Sequence, residues 1–173
     1  MIKKVICTIG GIISIISTFL PVFIITYVRT YANLTKKKFT IYYWMFGQII
    51  FQEKGESAVF RFRYIDLLGT TCMMIIIVGA MLVIMNGGDN SKEGLIRGLI
   101  GGLLVIIAMI SYAEVINSYM FYYYTSETIR NIMWSADKVQ FTLSYGYYGA
   151  LIGGITSIVG SILPKKKLSY DGE

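Results

Sequence analysis

Long uncharged runs alternate with short polar segments along this chain. Each of the four runs is almost entirely apolar and long enough to cross a bilayer, which takes about 20 helical residues. We therefore predict an all-α membrane protein, a four-helix transmembrane bundle with spans at residues 5–28, 66–86, 95–119 and 141–163. Four spans place both ends of the chain on one side of the membrane.

The segments between these spans differ in character. They are an outer β-rich loop (29–65), an inner turn (87–94), an outer loop (120–140) and a basic tail (164–173). In the β-rich loop, β-branched and aromatic residues dominate two stretches, 39–51 and 58–65, around a polar turn that contains a glycine. This pattern predicts a small extracellular antiparallel β-hairpin or sheet between helices 1 and 2.

Small residues recur at helical spacing in the last two spans. Gly98 and Gly102 form a GxxxG pair in the third span. In the fourth span one ridge contains Gly149, Gly153, Ser157 and Ser161, and a neighbouring ridge contains Gly146, Ala150 and Gly154. Small residues let helix backbones approach closely, so two ridges predict contact with two helices, or with one helix and a second subunit.

Composition agrees with a membrane protein and limits the chemistry. Of the 173 residues, 55% are hydrophobic and 15% charged, against about 25% charged in soluble domains. The net charge of +6 comes from basic residues that flank the spans, so we predict no nucleic-acid partner. The chain has no histidine, which excludes His-ligated metal sites and His-based triads. Cys7 and Cys72 lie near opposite membrane faces in this topology, too far apart for a disulfide.

The orientation follows from the ends of the chain. Lys3, Lys4 and residues 165–167 favour cytoplasmic termini, although more of the Lys and Arg residues fall on the two longer loops. Asn33 begins an Asn-Leu-Thr sequon, a glycosylation acceptor only if the first loop is exported. Aromatic residues cluster on the same loops. We predict a multi-pass plasma-membrane protein with both termini in the cytoplasm.

Aromatic residues of the outer loops form the candidate interaction surface. These residues are Tyr42, Tyr43, Trp44, Phe46, Phe60, Phe62, Tyr122, Tyr123 and Trp134. Such side chains supply contact area to a second copy or another membrane subunit. Anchoring at the lipid interface is the alternative for the tyrosine cluster.

Glu114 is the one carboxylate well inside an apolar run. An acid within a span is a candidate proton or cation site. Its position about 28 Å from the helix start places it near the outer interface instead. There we expect a structural ion pair with Arg61 or Arg63 of the hairpin.

Motifs of the common enzyme classes are absent from the sequence. It contains no GxSxG, P-loop or CxxC motif, and no carboxylate pair spaced for a hydrolase or di-metal site. We predict a protein without catalytic residues, metal or cofactor.

The order of segments resembles the claudin and epithelial-membrane-protein superfamily of tetraspan proteins. The residues that carry the resemblance are Trp44 and Gly47 in the β-segment, Arg61 and Arg63 before helix 2, and the Phe141-x-x-Ser-Tyr-Gly-Tyr147 lead into helix 4. The family's Trp-Gly-Leu-Trp motif and its cysteine pair are absent. The resemblance implies a non-enzymatic adhesion, assembly or accessory protein whose outer sheet makes lateral or facing contacts.

We therefore expect a membrane structural or interaction protein that contacts lipid and either itself or other membrane subunits. Two alternatives stay open: an accessory subunit of a larger membrane complex, and a small transporter or channel that uses Glu114.

Overall fold

Four helices and five strands make up this chain in the computed structural model, which describes residues 2–30, 36–46, 48–53, 59–62, 67–86, 89, 91–125 and 136–163. The helices are α1 (Ile2–Thr18), α2 (Leu67–Asn86), α3 (Lys92–Thr125) and α4 (Tyr145–Ile162). The strands are β1 (Phe23–Thr30), β2 (Lys36–Tyr43), β3 (Gln48–Glu53), β4 (Val59–Phe62) and β5 (Ala136–Leu143).

The helices pack as a ring in which each contacts two neighbours. α1 lies against α4 and α2, α3 lies against the same two helices, and the diagonal pairs barely meet. Segments Leu67–Met85 of α2 and Lys92–Ile116 of α3 are long and apolar enough to cross a membrane. α1 and α4 are shorter, with 17 and 18 residues, and contain many small or hydroxyl residues.

The first predicted span, 5–28, is wrong over its second half. α1 ends at Thr18, and β1 begins at Phe23. Pro21 lies between the two elements, where it cannot continue the helix. The residues after it are β-branched or aromatic and favour a strand. A strand with a buried face is as free of charge as a span, which is why hydropathy merged the two elements.

The outer loop predicted at 120–140 is also wrong in part. α3 continues to Thr125, and β5 begins at Ala136, so both ends of the predicted loop have regular structure. The fourth helix consequently starts at Tyr145 rather than at 141. By contrast, α2 lies within a residue of the span predicted at 66–86.

The inner turn ends earlier than the predicted 87–94 because Ser91 caps α3. The Gly94 backbone N–H donates a hydrogen bond to Ser91 Oγ at 2.9 Å, and Ser91 Oγ in turn bonds Asp89 Oδ2 at 2.7 Å. A serine whose hydroxyl accepts from a backbone N–H three residues on satisfies one of the free donors at a helix start. The first helical residue is therefore Lys92.

All five strands belong to one antiparallel sheet in the order β4-β3-β2-β1-β5. The predicted hairpin is present as β3 and β4, but its first arm, 39–51, is divided between β2 and β3. Strand β1 from the predicted first span and β5 from the predicted outer loop enlarge the sheet. The sheet is thus wider than the hairpin that the sequence predicts.

The sheet and the helices share a single hydrophobic core. Phe23, Tyr43 and Met45 at the base of the sheet pack in one cluster with Met109 and Tyr112 of α3. The same cluster includes Cys72, Ile76 and Ala80 of α2 and Ala150 of α4. The sheet is therefore joined to the end of the bundle at which α1 ends and α4 begins.

Candidate functional site

Small residues line the contact between α1 and α4. A Cβ placed on Gly10 would lie 2.8 Å from the carbonyl oxygen of Gly153 and 2.6 Å from Ser157 Oγ. A Cβ on Gly153 would lie 2.7 Å from the Gly10 carbonyl oxygen. The buried hydroxyls donate within their own helices, Ser14 to Gly10 at 2.9 Å and Ser157 to Gly153 at 2.7 Å. This contact has no room for larger side chains.

The second small ridge of α4 faces α3. A Cβ on Gly154 would meet Ile106 Cγ1 at 2.7 Å, and one on Gly102 would meet Ile158 Cγ1 at the same distance. Gly98 and Ala150 are buried as well. The predicted packing residues Gly146, Gly149, Gly153 and Ser157 lie against α1 or the segment that follows it. Residues of both ridges therefore pack against other segments of the same chain.

The outward faces of the helices are apolar. Large aliphatic side chains on every helix are between about two fifths and three fifths exposed. They include Ile9, Ile12 and Ile16 on α1, Met74, Val78 and Met81 on α2, Ile100, Leu103 and Ile107 on α3, and Ile152, Ile155 and Val159 on α4. The buried polar residues in the described part of the chain are serines and a threonine. Large apolar groups thus lie outside and small or polar groups inside.

Polarity changes on the exposed face of α3 toward the sheet. Between Ile100 and Ile110 the exposed side chains are aliphatic, whereas farther along Ser111, Glu114 and Ser118 are exposed beside Val115. Positions three and four residues apart lie on one face of a helix, so this is a single stripe that turns from apolar to polar. The change from apolar to polar along this stripe marks the level at which an apolar environment around the bundle would end.

The N-terminal end of α4 packs against the backbone of the last turn of α1 and of the segment that follows it. The Gly146 N–H donates to the Pro21 carbonyl at 2.9 Å. A Cβ on Gly146 would lie within 3 Å of the carbonyl oxygens of Ser17, Leu20 and Pro21. Glycine is required here because three backbone oxygens occupy the space of a side chain. The Pro21 carbonyl thus satisfies one of the free N–H groups at the start of α4.

A turn after β2 docks on α2. The Met45 carbonyl lies so close to Gly69 that it overlaps the space of a Cβ, and the Tyr112 ring lies 2.9 Å from the same point. Tyr112 also contacts the ring of Phe23, with centroids 6.3 Å apart. Met45, Gly69, Phe23 and Tyr112 are not among the site residues that the sequence predicts. A glycine in the first turn of a span is the signal that identifies such a close contact.

Tyr43 does not belong to the predicted interaction surface. Its side chain is 2% exposed and lies in the core beside Phe23 and Met45. Successive residues of a strand point to opposite faces, so Tyr42 lies on the other face. The only sign of this difference in the strand around the two tyrosines is weak: Thr40 shares the face of Tyr42, whereas Phe39 and Ile41 share the face of Tyr43.

Three aromatic side chains, at every second position from Tyr42 to Phe46, form a continuous row of rings. The rings of Tyr42 and Trp44 are 6.2 Å apart, and those of Trp44 and Phe46 are 6.4 Å apart. All three side chains are half-buried. Trp44 Nε1–H donates to the Phe19 carbonyl at 3.1 Å, which fixes the indole at the end of α1. We call Tyr42, Trp44 and Phe46 the aromatic ladder.

Strand register extends this face across the sheet. Ile24, Tyr42, Ile50 and Phe60 occupy one row, and residues that pair directly lie on the same face. Phe62 falls on that face too, two residues after Phe60 in β4. Tyr122 and Tyr123 are helical residues of α3. Trp134 and Asn33 lie outside the described residues.

The predicted ion pair stays a prediction. Glu114 is exposed on α3. Arg61 falls in the same row of the sheet as Tyr43, on the face that packs on the bundle, and Arg63 lies outside the described residues. Within the described ranges no three His, Cys, Asp or Glu side chains come together as metal ligands.

Comparison with known proteins assigns this chain to no family. No family model matches the chain, and no curated protein matches it.

Proposed function

We propose that this chain is an integral membrane protein that crosses the bilayer four times and acts without catalysis through its β-rich cap. The observation that carries the proposal is the apolar outer face shared by all four helices. Exposed aliphatic side chains around a whole bundle are unfavourable in water and favourable in lipid. Glycine- and serine-lined contacts inside the bundle are typical of helices that associate within a membrane.

Helix dimensions agree with this placement. The 17 residues of α1 and the 18 of α4 span about 26 and 27 Å, close to the roughly 30 Å of a hydrocarbon core. Phe19, Trp44, Tyr145 and Tyr148 are exposed or half-buried at the sheet end, as in an interfacial aromatic belt. Lys3, Lys4, Lys92 and Arg97 mark the other end.

The cap is the part of the molecule that we propose for recognition. Four strands lie between α1 and α2 and one lies between α3 and α4, an order that fits the resemblance to claudin-like tetraspan proteins. The aromatic ladder leaves Tyr42, Trp44 and Phe46 only half-buried on the outer face. Rigid aromatic side chains on a sheet suit lateral contact with a second copy or another membrane subunit.

The position of the cap can be tested by labelling single cysteines. Thr142 is exposed near the sheet and Ser91 is exposed at the opposite end, while Cys7 and Cys72 are buried. In intact cells a membrane-impermeant maleimide should label Thr142→Cys and leave Ser91→Cys unlabelled. In permeabilised cells the maleimide should label both variants. Labelling of Ser91→Cys alone would place the cap in the cytoplasm.

The double variant Tyr42→Ala/Phe46→Ala should weaken association by roughly tenfold or more, because large aromatic anchors carry much of the energy of an interface. Native mass spectrometry of gently extracted membranes would measure the associated fraction. Tyr145→Ala is the matched control, since it removes an exposed aromatic at the lipid belt and should leave association unchanged. Capture of one other subunit at fixed stoichiometry would favour the accessory-subunit alternative. A wild-type chain found alone at all concentrations would contradict the proposal.

The position of Glu114 gives little support to transport. Its side chain is exposed on α3, at the end of the apolar stripe rather than inside the bundle. The core of the described part contains no charged residue. Transport that depends on Glu114 would need this carboxylate inside the bundle, where an ionisable group marks a proton or ion pathway.

A further inference from the structure

Met45 joins the aromatic ladder to the interior of the bundle. It lies between Trp44 and Phe46 along the chain, and it is fully buried whereas these two neighbours are half-buried. Burial therefore alternates along the turn, with one side chain in the core and a ring of the ladder on either side of it. Because the three residues are covalently linked, the place where Met45 docks determines where the two rings lie.

The first contact that fixes this turn is made by α2. Gly69 lies in the first turn of the helix, and the Met45 carbonyl oxygen occupies the space that a Cβ on this glycine would need. Both partners in the contact are backbone, and a backbone carbonyl has no side-chain rotamer through which it could move away. The turn can approach α2 this closely only because residue 69 is a glycine.

The second contact comes from α3. Tyr112 is fully buried, and its Cε2 and Oη atoms each lie 2.9 Å from the position of a Cβ on Gly69. Its ring also contacts Phe23 of β1, with centroids 6.3 Å apart. A close-packed side chain of this size leaves its neighbours little room for other positions. Tyr112 thus connects the point where the turn meets α2 with the base of the sheet.

Two further bonds attach the same segment to the chain around the end of α1. Trp44 Nε1–H donates to the Phe19 carbonyl at 3.1 Å, and the Val22 N–H donates to the Tyr43 carbonyl at 2.8 Å. These bonds, together with the contacts to α2 and α3, hold the ladder in one place. A surface that already has its binding conformation before a partner arrives loses less conformational entropy on binding.

We propose that Gly69 and Tyr112 are positioning residues for the aromatic ladder, so that recognition by the cap depends on how α2 packs against α3. This inference rests on the proposed role of the ladder in recognition. Both residues are buried and act through Met45 rather than by touching a partner. Because coupling between two sites is reciprocal, a partner bound to the ladder also stabilises the junction of the turn with the two helices.

The test follows the fluorescence of Trp44 in the full chain. Trp44 and Trp134 are the two tryptophans, so a Trp134→Phe background leaves one indole to observe. In that background Gly69→Ala places a methyl group where the Met45 carbonyl lies, and the turn has to move away from α2. We expect a red shift of Trp44 emission, several-fold faster quenching by a water-soluble quencher, and roughly tenfold weaker association in native mass spectrometry.

Gly79→Ala is the matched control. It makes the same substitution on the same helix, and its Cβ would lie 2.7 Å from the Gly101 carbonyl oxygen of α3. Gly79 is ten residues from Gly69, a rise of about 15 Å away from the cap. Both variants should lower the midpoint of thermal unfolding by about 5 °C. Only Gly69→Ala should change the Trp44 signal, and an equal change in Gly79→Ala would show a general loss of packing and overturn the proposal.

Tyr112→Phe provides a second variant that keeps the ring against Phe23 and removes only the hydroxyl beside Gly69. It should increase the quenching of Trp44 by less than Gly69→Ala does while the chain stays folded. A Trp44 signal at the wild-type value in both folded variants would overturn the proposal. The fluorescence reading does not require a partner, so it decides the positioning role even if the wild-type chain is found alone and the proposed recognition fails.

Discussion

Gly153→Ala is expected to destabilise the protein by about 2 kcal/mol, because the added methyl group has no space. Its Cβ would lie 2.7 Å from the Gly10 carbonyl oxygen and 2.8 Å from the Ser14 backbone nitrogen. Backbone atoms of a packed helix cannot rotate away, so α1 and α4 would have to separate. Thermal or denaturant unfolding of the purified chain in detergent would measure the loss.

Gly149→Ala is the matched control for this experiment. It makes the same change one turn earlier on the same helix, and the nearby atoms belong to the Ser17 side chain alone. A serine hydroxyl can adopt another rotamer, and alanine favours a helix over glycine by about 1 kcal/mol. Gly149→Ala should therefore cost clearly less than Gly153→Ala, since the contact it disturbs is the bond from Ser17 Oγ to the Ile13 carbonyl rather than packed backbone. Equal effects of the two variants would show that close backbone contact does not limit this interface.

Leu103→Asp should cost about 3 kcal/mol or more and sharply reduce the folded protein recovered from membranes. Leu103 is 48% exposed on α3, in the middle of the apolar stripe. A short carboxylate at that depth in a bilayer cannot reach water. In an aqueous environment the same change on an exposed position would cost almost nothing.

Ser118→Asp is the control for Leu103→Asp. Ser118 is exposed on the same helix, beyond the point where the stripe becomes polar. It should therefore accept a charge at no measurable cost. Recovery in membranes and thermal stability in nanodiscs give independent readings of both variants. If Leu103→Asp were as stable as Ser118→Asp, lipid could not surround this face, and the proposed four-span placement would fail.

The sequence predicts helices well where polar residues bound them on both sides. α2 lies within a residue of its predicted span because Asp66 and the glycine- and asparagine-rich turn delimit it. The boundary of α1 was predicted wrongly because β1 follows it without any charge until Arg29. Pro21 is the only local sign of the change, and a proline is also compatible with a kinked span.

The sequence predicts only the part of the sheet in which the paired strands are close along the chain. Only residues 54–58 separate β3 from β4 along the chain, and such closely spaced strands can be recognised as a hairpin from the sequence. β5 pairs with β1 across more than a hundred residues, as the bond from Thr142 to the Ile24 carbonyl illustrates. Such a register depends on tertiary packing, and no single segment encodes it.

The division of the aromatic residues between the core and the candidate interaction surface also depends on tertiary packing. The sequence selects the aromatic residues near Trp44 as one group, whereas the structure divides them between the core and the outer face. Tyr42 and Tyr43 differ in strand parity, and Thr40 on the face of Tyr42 is a weak sign of the less buried side, since Phe39 and Ile41 share the face of Tyr43.

The pairing of α1 and β1 with β5 and α4 has a consequence for biosynthesis. α1 finds its principal partner, and β1 one of its two neighbouring strands, only after residues 136–162 have been made. Contacts so distant in sequence form late and slow folding. Until then the serine-bearing flank of α1 and one edge of β1 are without their native cover, a state prone to misassembly. α2 and α3, which adjoin in the chain, are free to pair first, and synthesis of the last helix completes the fold.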